Sequence, residues 1–138
     1  MSRVTLLIPL VFLSGCQDTN HPRPADSSIR PGAVTVSPRQ IDFGNVNDGK
    51  VRKAEVTVTN GTPETISWTR LETSCDCLSC DIASSQLLSG QQARIGVAFD
   101  PLKEGDFRGG LLMTVTAFDR TNAAVFTFEV AALVKVNP

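Results

Sequence analysis

From Val34 onward, apolar and polar residues alternate with a period of two. The alternation is clearest in six short runs, which span residues 34–36, 54–58, 66–68, 93–99, 111–115 and 126–134. Because successive side chains of a β-strand point to opposite faces of a sheet, this period indicates strands with one buried face. No amphipathic helical stretch longer than two turns interrupts the pattern.

Turn-forming residues separate these runs. They are Asn47-Asp48-Gly49, Asn60-Gly61, Ser89-Gly90, Asp100-Pro101 and Lys103-Glu104-Gly105. Gly, Asn and Asp readily adopt the backbone conformations that tight turns require. About seven strands within about 100 residues predict an all-β fold, an antiparallel immunoglobulin-like β-sandwich. We expect Trp68 to be a core residue on a central strand of this sandwich.

The start of the chain has a different pattern, typical of a secretory signal. A single charge at Arg3 precedes the mostly apolar run 4–13, and two small residues lie between that run and Cys16. The run is about 10 residues long, whereas a membrane-spanning helix needs about 20. We therefore predict that residues 1–15 form a signal peptide that is removed.

The four residues Leu13-Ser14-Gly15-Cys16 resemble the lipobox of bacterial lipoproteins. The resemblance implies that Cys16 is the lipidation site: its thiol receives a diacylglycerol, the signal is cut before it, and the new amino group is acylated. Two or more acyl chains anchor a protein stably to a membrane. The expected location is the cell envelope, and Gln17 in place of Asp favours the outer membrane. The alternative is an ordinary signal peptide with Cys16 in a disulfide.

Residues 16–32 are expected to form the lipidated cysteine and a tether. Ile29 is the only large apolar side chain of the tether, and its three prolines favour an extended backbone. As a coil it would reach about 20–25 Å, which lets the protein stand off the membrane. The remaining residues, 33–138, have the length of a single domain.

The charge balance argues against nucleic acid as a partner. The chain has 13 Lys and Arg residues against 14 Asp and Glu residues, a formal net charge of −1, and no basic run. Nucleic-acid binding needs an excess of positive charge that neutralises phosphates. We therefore predict no nucleic-acid partner.

Few residues in the chain suit a common catalytic mechanism. The single histidine is His21, in the tether, so the domain has no Ser-His or Cys-His pair. Gly109-Gly110 lacks the Lys-Ser/Thr that completes a phosphate-binding loop. We predict that the protein is not an enzyme and that it holds no cofactor.

Several short motifs, taken in order, resemble one protein family. They are Asp42-Phe43-Gly44, Asn60-Gly61, Ser74-Cys75-Asp76-Cys77 and Phe99-Asp100-Pro101 followed by Gly105. Their spacing resembles the DUF1573 family of bacterial surface and periplasmic proteins, over residues 34–134. That family is related to immunoglobulin-like modules of major sperm protein and of ciliary and centrosomal proteins. The resemblance implies fold and location, and the family's molecular function is unknown. The family commonly has Gly, which permits a left-handed backbone, where this chain has Asp76.

Three thiols lie close together, between a strand expected to end near Leu71 and another expected to start near Asp81. They belong to Cys75, Cys77 and Cys80. A structural disulfide between two of them is one interpretation. Cys77–Cys80 or Cys75–Cys80 is the easier closure, because residues two apart on a strand are about 6.5 Å apart, near the upper limit for a disulfide.

Two further interpretations give the same cysteines a chemical role. Thiolates select soft metals, so Cys75, Cys77 and Cys80 are candidate ligands of copper(I), or of zinc with an oxygen from Asp76 or Asp81. Alternatively, Cys77 and Cys80 form a redox-active Cys-x-x-Cys pair with Cys75 as the resolving thiol. That chemistry usually needs a helix after the motif, which the sequence does not indicate.

These observations predict a membrane-anchored envelope lipoprotein that displays a non-catalytic immunoglobulin-like binding or structural module. We expect it to have a protein partner, which it contacts through the loop between Cys75 and Cys80 at one end of the sandwich. The main alternative is a copper(I)- or zinc-binding lipoprotein. A thiol-disulfide oxidoreductase ranks third.

Overall fold

The computed structural model describes residues 33–46 and 49–135, so the predicted signal peptide, Cys16 and the tether lie outside the described residues. The described residues form ten strands and one 3-10 helix. They are β1 (Val34–Ser37), β2 (Gln40–Val46), β3 (Arg52–Asn60), β4 (Ile66–Ser67), β5 (Arg70–Thr73), β6 (Leu78–Ile82), β7 (Gln86–Leu87), β8 (Gln92–Phe99), η1 (Pro101–Glu104), β9 (Gly109–Phe118) and β10 (Ala124–Val134). Among these residues, no helix has the length and apolarity needed to cross a membrane.

Two four-stranded sheets form the sandwich, which confirms the predicted all-β class. One sheet has the strand order β1-β3-β8-β6, the other has β2-β10-β9-β5, and β4 pairs with β7 in a small third sheet. All pairs are antiparallel except β2 with β10, which run parallel. Strands β1 and β2 are consecutive but belong to different sheets, so the chain crosses between the sheets at Pro38 and Arg39.

Inward-facing residues of both sheets form a single core. In β8 the buried residues are Ile95, Val97 and Phe99, and in β10 every second residue from Phe126 to Val134 is buried. Trp68 is buried as predicted and meets the ring of Phe126 edge-on at 5.3 Å. It lies between β4 and β5, however, not on a central strand. The two-residue strand β4 ends just before it, and the chain turns there.

The Asp-Phe-Gly element forms a local irregularity in β2. Asp42 accepts a hydrogen bond from the backbone nitrogen of Gly44 at 2.7 Å, and Gly44 has φ of 59°, a conformation that favours glycine. The pairing of β2 with β10 shifts register at this point. The turn orients Phe43 inward, where its ring stacks on Phe99 at 6.1 Å.

One end of the sandwich, here called the Ala33 end, is where β1 begins. Val34 pairs with Asn60, and Gly61 donates a hydrogen bond to the carbonyl of Ala33. Asn60 is fully buried, and its side-chain nitrogen donates to the carbonyls of Glu64 and Leu87. These hydrogen bonds satisfy the buried side-chain amide of Asn60 and hold the Asn60-Gly61 turn in place.

The opposite end, here called the Cys77 end, is where β3 begins. Arg52 pairs with Phe99, and Phe99 pairs with Leu78, the residue after Cys77. Strand β3 runs from one end to the other over nine residues. At about 3.4 Å per residue, Arg52 and Asn60 lie about 27 Å apart.

Candidate functional site

The candidate site is the loop of residues 74–77 at the Cys77 end. Strand β5 continues to Thr73 and β6 begins at Leu78, so the loop is shorter than the sequence predicts. Cys80 therefore lies within β6 and not in the loop. The reason is that Leu78, Cys80 and Ile82 face the core at alternate positions of that strand.

Backbone hydrogen bonds hold this loop against two neighbouring segments. Ser74 donates from its nitrogen to the carbonyl of Thr114, and the nitrogen of Thr114 donates to the hydroxyl of Ser74 at 2.9 Å. The nitrogen of Asp100 donates to the carbonyl of Cys77 at 2.8 Å. The loop is thus fixed to β9 on one side and to the start of η1 on the other.

A disulfide joins Cys75 and Cys77, whose Cα atoms are 5.2 Å apart. The expectation that either cysteine closes more easily with Cys80 is wrong. That expectation assumed an extended backbone, whereas residues 74–77 form a bend and a turn, which shortens the Cα separation. Asp76 does not adopt positive φ. The glycine that is common in the family at this position is therefore not needed here.

A third sulfur lies against this pair. The Sδ atom of Met113 is 3.5 Å from the Sγ of Cys75 and 3.4 Å from the Sγ of Cys77. Cys77 and Met113 are only 2% and 3% exposed, whereas Cys75 is half-buried. The carboxylate of Glu104, in η1, completes a group whose possible ligand atoms, one each from Cys75, Cys77 and Glu104, lie within 4.8 Å of one another.

Sequence reasoning did not nominate Met113 or Glu104. Met113 belongs to the apolar face of β9 and has the pattern of a core residue, which it also is. Glu104 sits in a turn signal before Gly105. The contacts of both depend on how β9 and η1 pack on the loop, which the alternation of residues does not reveal.

Cys80 is a free, half-buried thiol outside this group. Burial raises the pKa of the Cys80 thiol from 9.0 to about 11. A redox-active cysteine has a lowered thiol pKa and usually lies at a helix N-terminus, whereas Cys80 has a raised pKa and lies in a strand. The structure thus brings together two of the three predicted cysteines, adds Met113, and leaves Cys80 apart.

Exposed apolar side chains concentrate at the same end of the sandwich. Six large apolar residues of the described ranges are exposed. Val51, Leu102 and Phe107 lie in the segments 49–51 and 101–108 at the Cys77 end, and Leu112 and Leu133 lie on β9 and β10 within four residues of that end. The sixth, Leu88, lies at the Ala33 end beside the Asn60 turn. Clusters of exposed apolar residues often mark surfaces that contact other proteins.

Comparison with known protein families shows which family the chain belongs to. The family described as "Protein of unknown function (DUF1573)" matches residues 34–131. The chain belongs to the DUF1573 family. Its resemblance to that family, drawn from the sequence motifs, is therefore confirmed. Among curated proteins, none matches the chain at the sequence level.

Solved structures place this DUF1573 domain among known folds. A protein of unknown function from Porphyromonas gingivalis W83 is 18% identical with a TM-score of 0.62, over 74% of this chain and 46% of that protein. The secreted serine protease VesC of Vibrio cholerae is 12% identical with a TM-score of 0.55, over 76% of this chain and 23% of VesC. The ASH/PapD-like domain 7 of human CEP192 is 12% identical with a TM-score of 0.55, over 90% of this chain and 100% of that domain.

These similarities establish the fold and nothing further about activity. The chain spans about half of the length of the Porphyromonas protein and about a quarter of VesC. By contrast, the PapD-like domain of CEP192 is matched along its whole length. The predicted immunoglobulin-like sandwich is thereby confirmed.

Proposed function

We propose that this DUF1573 protein is a lipid-anchored envelope protein, held in the outer membrane by Cys16, that displays a non-catalytic binding module. The observation that carries the proposal is the separation of the two ends of the sandwich. The predicted tether joins the domain at Ala33, and the disulfide loop and five of the six exposed large apolar residues lie at or near the opposite end. An anchored protein that binds a partner gains from this arrangement, because the binding surface points away from the membrane.

The chemistry of the site favours binding over catalysis. Its two loop cysteines are joined in a disulfide, and the remaining thiol, Cys80, has a raised pKa. Neither a disulfide nor a thiol with a raised pKa supplies a reactive thiolate nucleophile at neutral pH. The domain contains no histidine that could act as a general base.

The exposed apolar side chains at the Cys77 end favour a protein as the partner. Leu102 is the most exposed of the large apolar residues, at 71%, and lies in η1 next to the disulfide loop. Apolar side chains on a rigid loop framework are typical of contact surfaces on immunoglobulin-like domains. The partner is thus expected to bury Leu102 and its neighbours.

Photo-crosslinking in intact cells tests this surface. One variant carries a benzophenone side chain at position 102 in place of Leu102, and the matched control carries it at position 88 in place of Leu88, which is 50% exposed at the Ala33 end. We expect a discrete protein adduct from position 102 and none of the same mass from position 88. Equal adducts at both positions, or none at position 102, would contradict the proposal.

A further inference from the structure

We propose that Cys75, Cys77 and Met113 bind one copper(I) ion when the Cys75–Cys77 disulfide is reduced. This role goes beyond the binding module. It differs from a site made of the three cysteines, because the third sulfur comes from Met113 and not from Cys80.

The sulfur of Met113 already lies close to the distance from both cysteine sulfurs that a shared metal ion requires. With metal–sulfur bonds of about 2.3 Å, the sulfurs of a trigonal site lie about 4 Å apart. The Sδ of Met113 is 3.5 Å and 3.4 Å from the two cysteine sulfurs. Reduction therefore needs to separate the sulfurs of Cys75 and Cys77 only by rotation of their side chains, while the loop stays bonded to Thr114 and Asp100.

The ligand set selects the metal. Two thiolates and a thioether are soft donors, which favour copper(I) over harder divalent ions. A structural zinc site is usually closed by four Cys or His ligands, and the described residues contain no histidine. Glu104 is the hard donor that zinc would use in its place. Dependence on Met113 and independence from Glu104 therefore distinguish copper(I) from zinc.

Burial makes the site protected but reachable. Cys77 and Met113 are almost fully buried, so a bound ion would be shielded from water on their side. Cys75 is only half-buried, so part of it is exposed to solvent. A copper(I) ion would therefore enter past Cys75. A small ligand that delivers the ion would leave by the same route.

The disulfide makes this binding dependent on reduction. A dithiol reductant attacks the disulfide, two electrons and two protons pass to Cys75 and Cys77, and the reductant leaves as its own disulfide. Copper(I) then replaces the two thiol protons, which pass to water, and Met113 donates a lone pair without losing a proton. At this site the oxidised protein offers only the thioether of Met113, and the free thiol of Cys80 lies outside the group, so the ion cannot be held in this way.

A copper(I) titration against a chromophoric chelator tests the site. The full chain is used with Cys16→Ser throughout, so that only the thiols of the domain are counted, and it is kept without oxygen after reduction. We expect one copper(I) per chain in the reduced form and none in the oxidised form. Met113→Leu, which keeps the volume of the side chain, should weaken binding by about 10-fold or more. Cys80→Ser and Glu104→Gln are the matched controls and should leave the affinity unchanged.

X-ray absorption of the Cys80→Ser protein gives a readout that does not depend on how Met113→Leu folds. Three sulfur neighbours around copper in this variant support the proposal, because Cys75, Cys77 and Met113 are the sulfurs at the site. Two sulfur neighbours would overturn it. It would also be overturned if Cys80→Ser abolished binding, if the oxidised protein bound equally well, or if zinc bound more tightly and depended on Glu104.

Discussion

The raised pKa of the Cys80 thiol is a property of a single residue that can be tested directly. Burial raises its thiol pKa from 9.0 to about 11, so its thiolate fraction at pH 8 is about 100-fold smaller than that of an ordinary thiol. We expect alkylation of Cys80 in the folded protein to be slower by about that factor than in urea. Because the folded state disfavours the thiolate, this group's stabilising contribution is present below pH 9.0 and is lost as the pH rises toward about 11.

Alkylation rates measured by mass spectrometry in native buffer and in urea check this expectation. The disulfide keeps Cys75 and Cys77 unreactive in both conditions. Equal rates of Cys80 alkylation in the two conditions would show that the thiol is not buried. They would also reopen a redox role for Cys80.

At the scale of residues, the sequence indicated which side chains are special but not how they meet. The cysteines stood out by their spacing, yet their pairing depends on a turn at residues 74–77 that alternation does not reveal. Met113 has the same pattern as any buried residue of β9, so its contact with two sulfurs could not be predicted. The burial of Trp68 could be predicted, because a large apolar side chain in a strand-like pattern belongs in a core.

Strand β1 depends on a glycine in the neighbouring turn. A Cβ added at Gly61 would lie 2.6 Å from the carbonyl oxygen of Ala33, which is a backbone atom and cannot turn aside. We expect Gly61→Ala to lower the free energy of unfolding by about 1–3 kcal/mol, because the start of β1 must shift. Urea denaturation measures this difference.

Gly110→Ala is the matched control for that substitution. Gly110 lies in β9, and a Cβ there meets no atom within 4 Å. We expect its free energy of unfolding to stay the same or to rise slightly, since alanine restricts the unfolded chain. Equal losses in the two variants would mean that the contact with Ala33 does not hold β1 in place.

Four of the six predicted runs fall on long strands with regular alternation, and the runs 34–36 and 66–68 fall on the shorter strands β1 and β4. Strands β3, β8, β9 and β10 each have eight or more residues and are covered in part by the predicted runs. Strand β7 has only two residues, too few for a period to be visible, whereas the predicted run 66–68 falls on the two-residue strand β4 and ends one residue beyond it. Strand β2 contains Gly44 and a register shift, which break its alternation. The apolar pattern has no signature of the change of sheet between β1 and β2 or of the parallel pairing of β2 with β10.

For the whole molecule, the arrangement of its two ends links the fold to the proposed function. The family match over residues 34–131 and the likeness to a PapD-like domain establish the sandwich. Ala33 lies at one end of that sandwich and the disulfide loop at the other. A chain anchored ahead of Ala33 would therefore present the loop away from the membrane. The function then depends on whether the chain is anchored ahead of Ala33, which only the processing of Cys16 decides.

The intact mass of the protein extracted from cell envelopes tests most directly whether the chain is anchored by lipid at Cys16. We expect a chain of residues 16–138 that carries a diacylglycerol on Cys16 and an acyl group on its amino terminus. Its mass should be lower by two hydrogens for the Cys75–Cys77 disulfide, with a single alkylatable thiol, Cys80. The Cys16→Ser control should remain an unacylated precursor. A mature chain without acyl mass, or one in which Cys16 is alkylated, would contradict the anchored account.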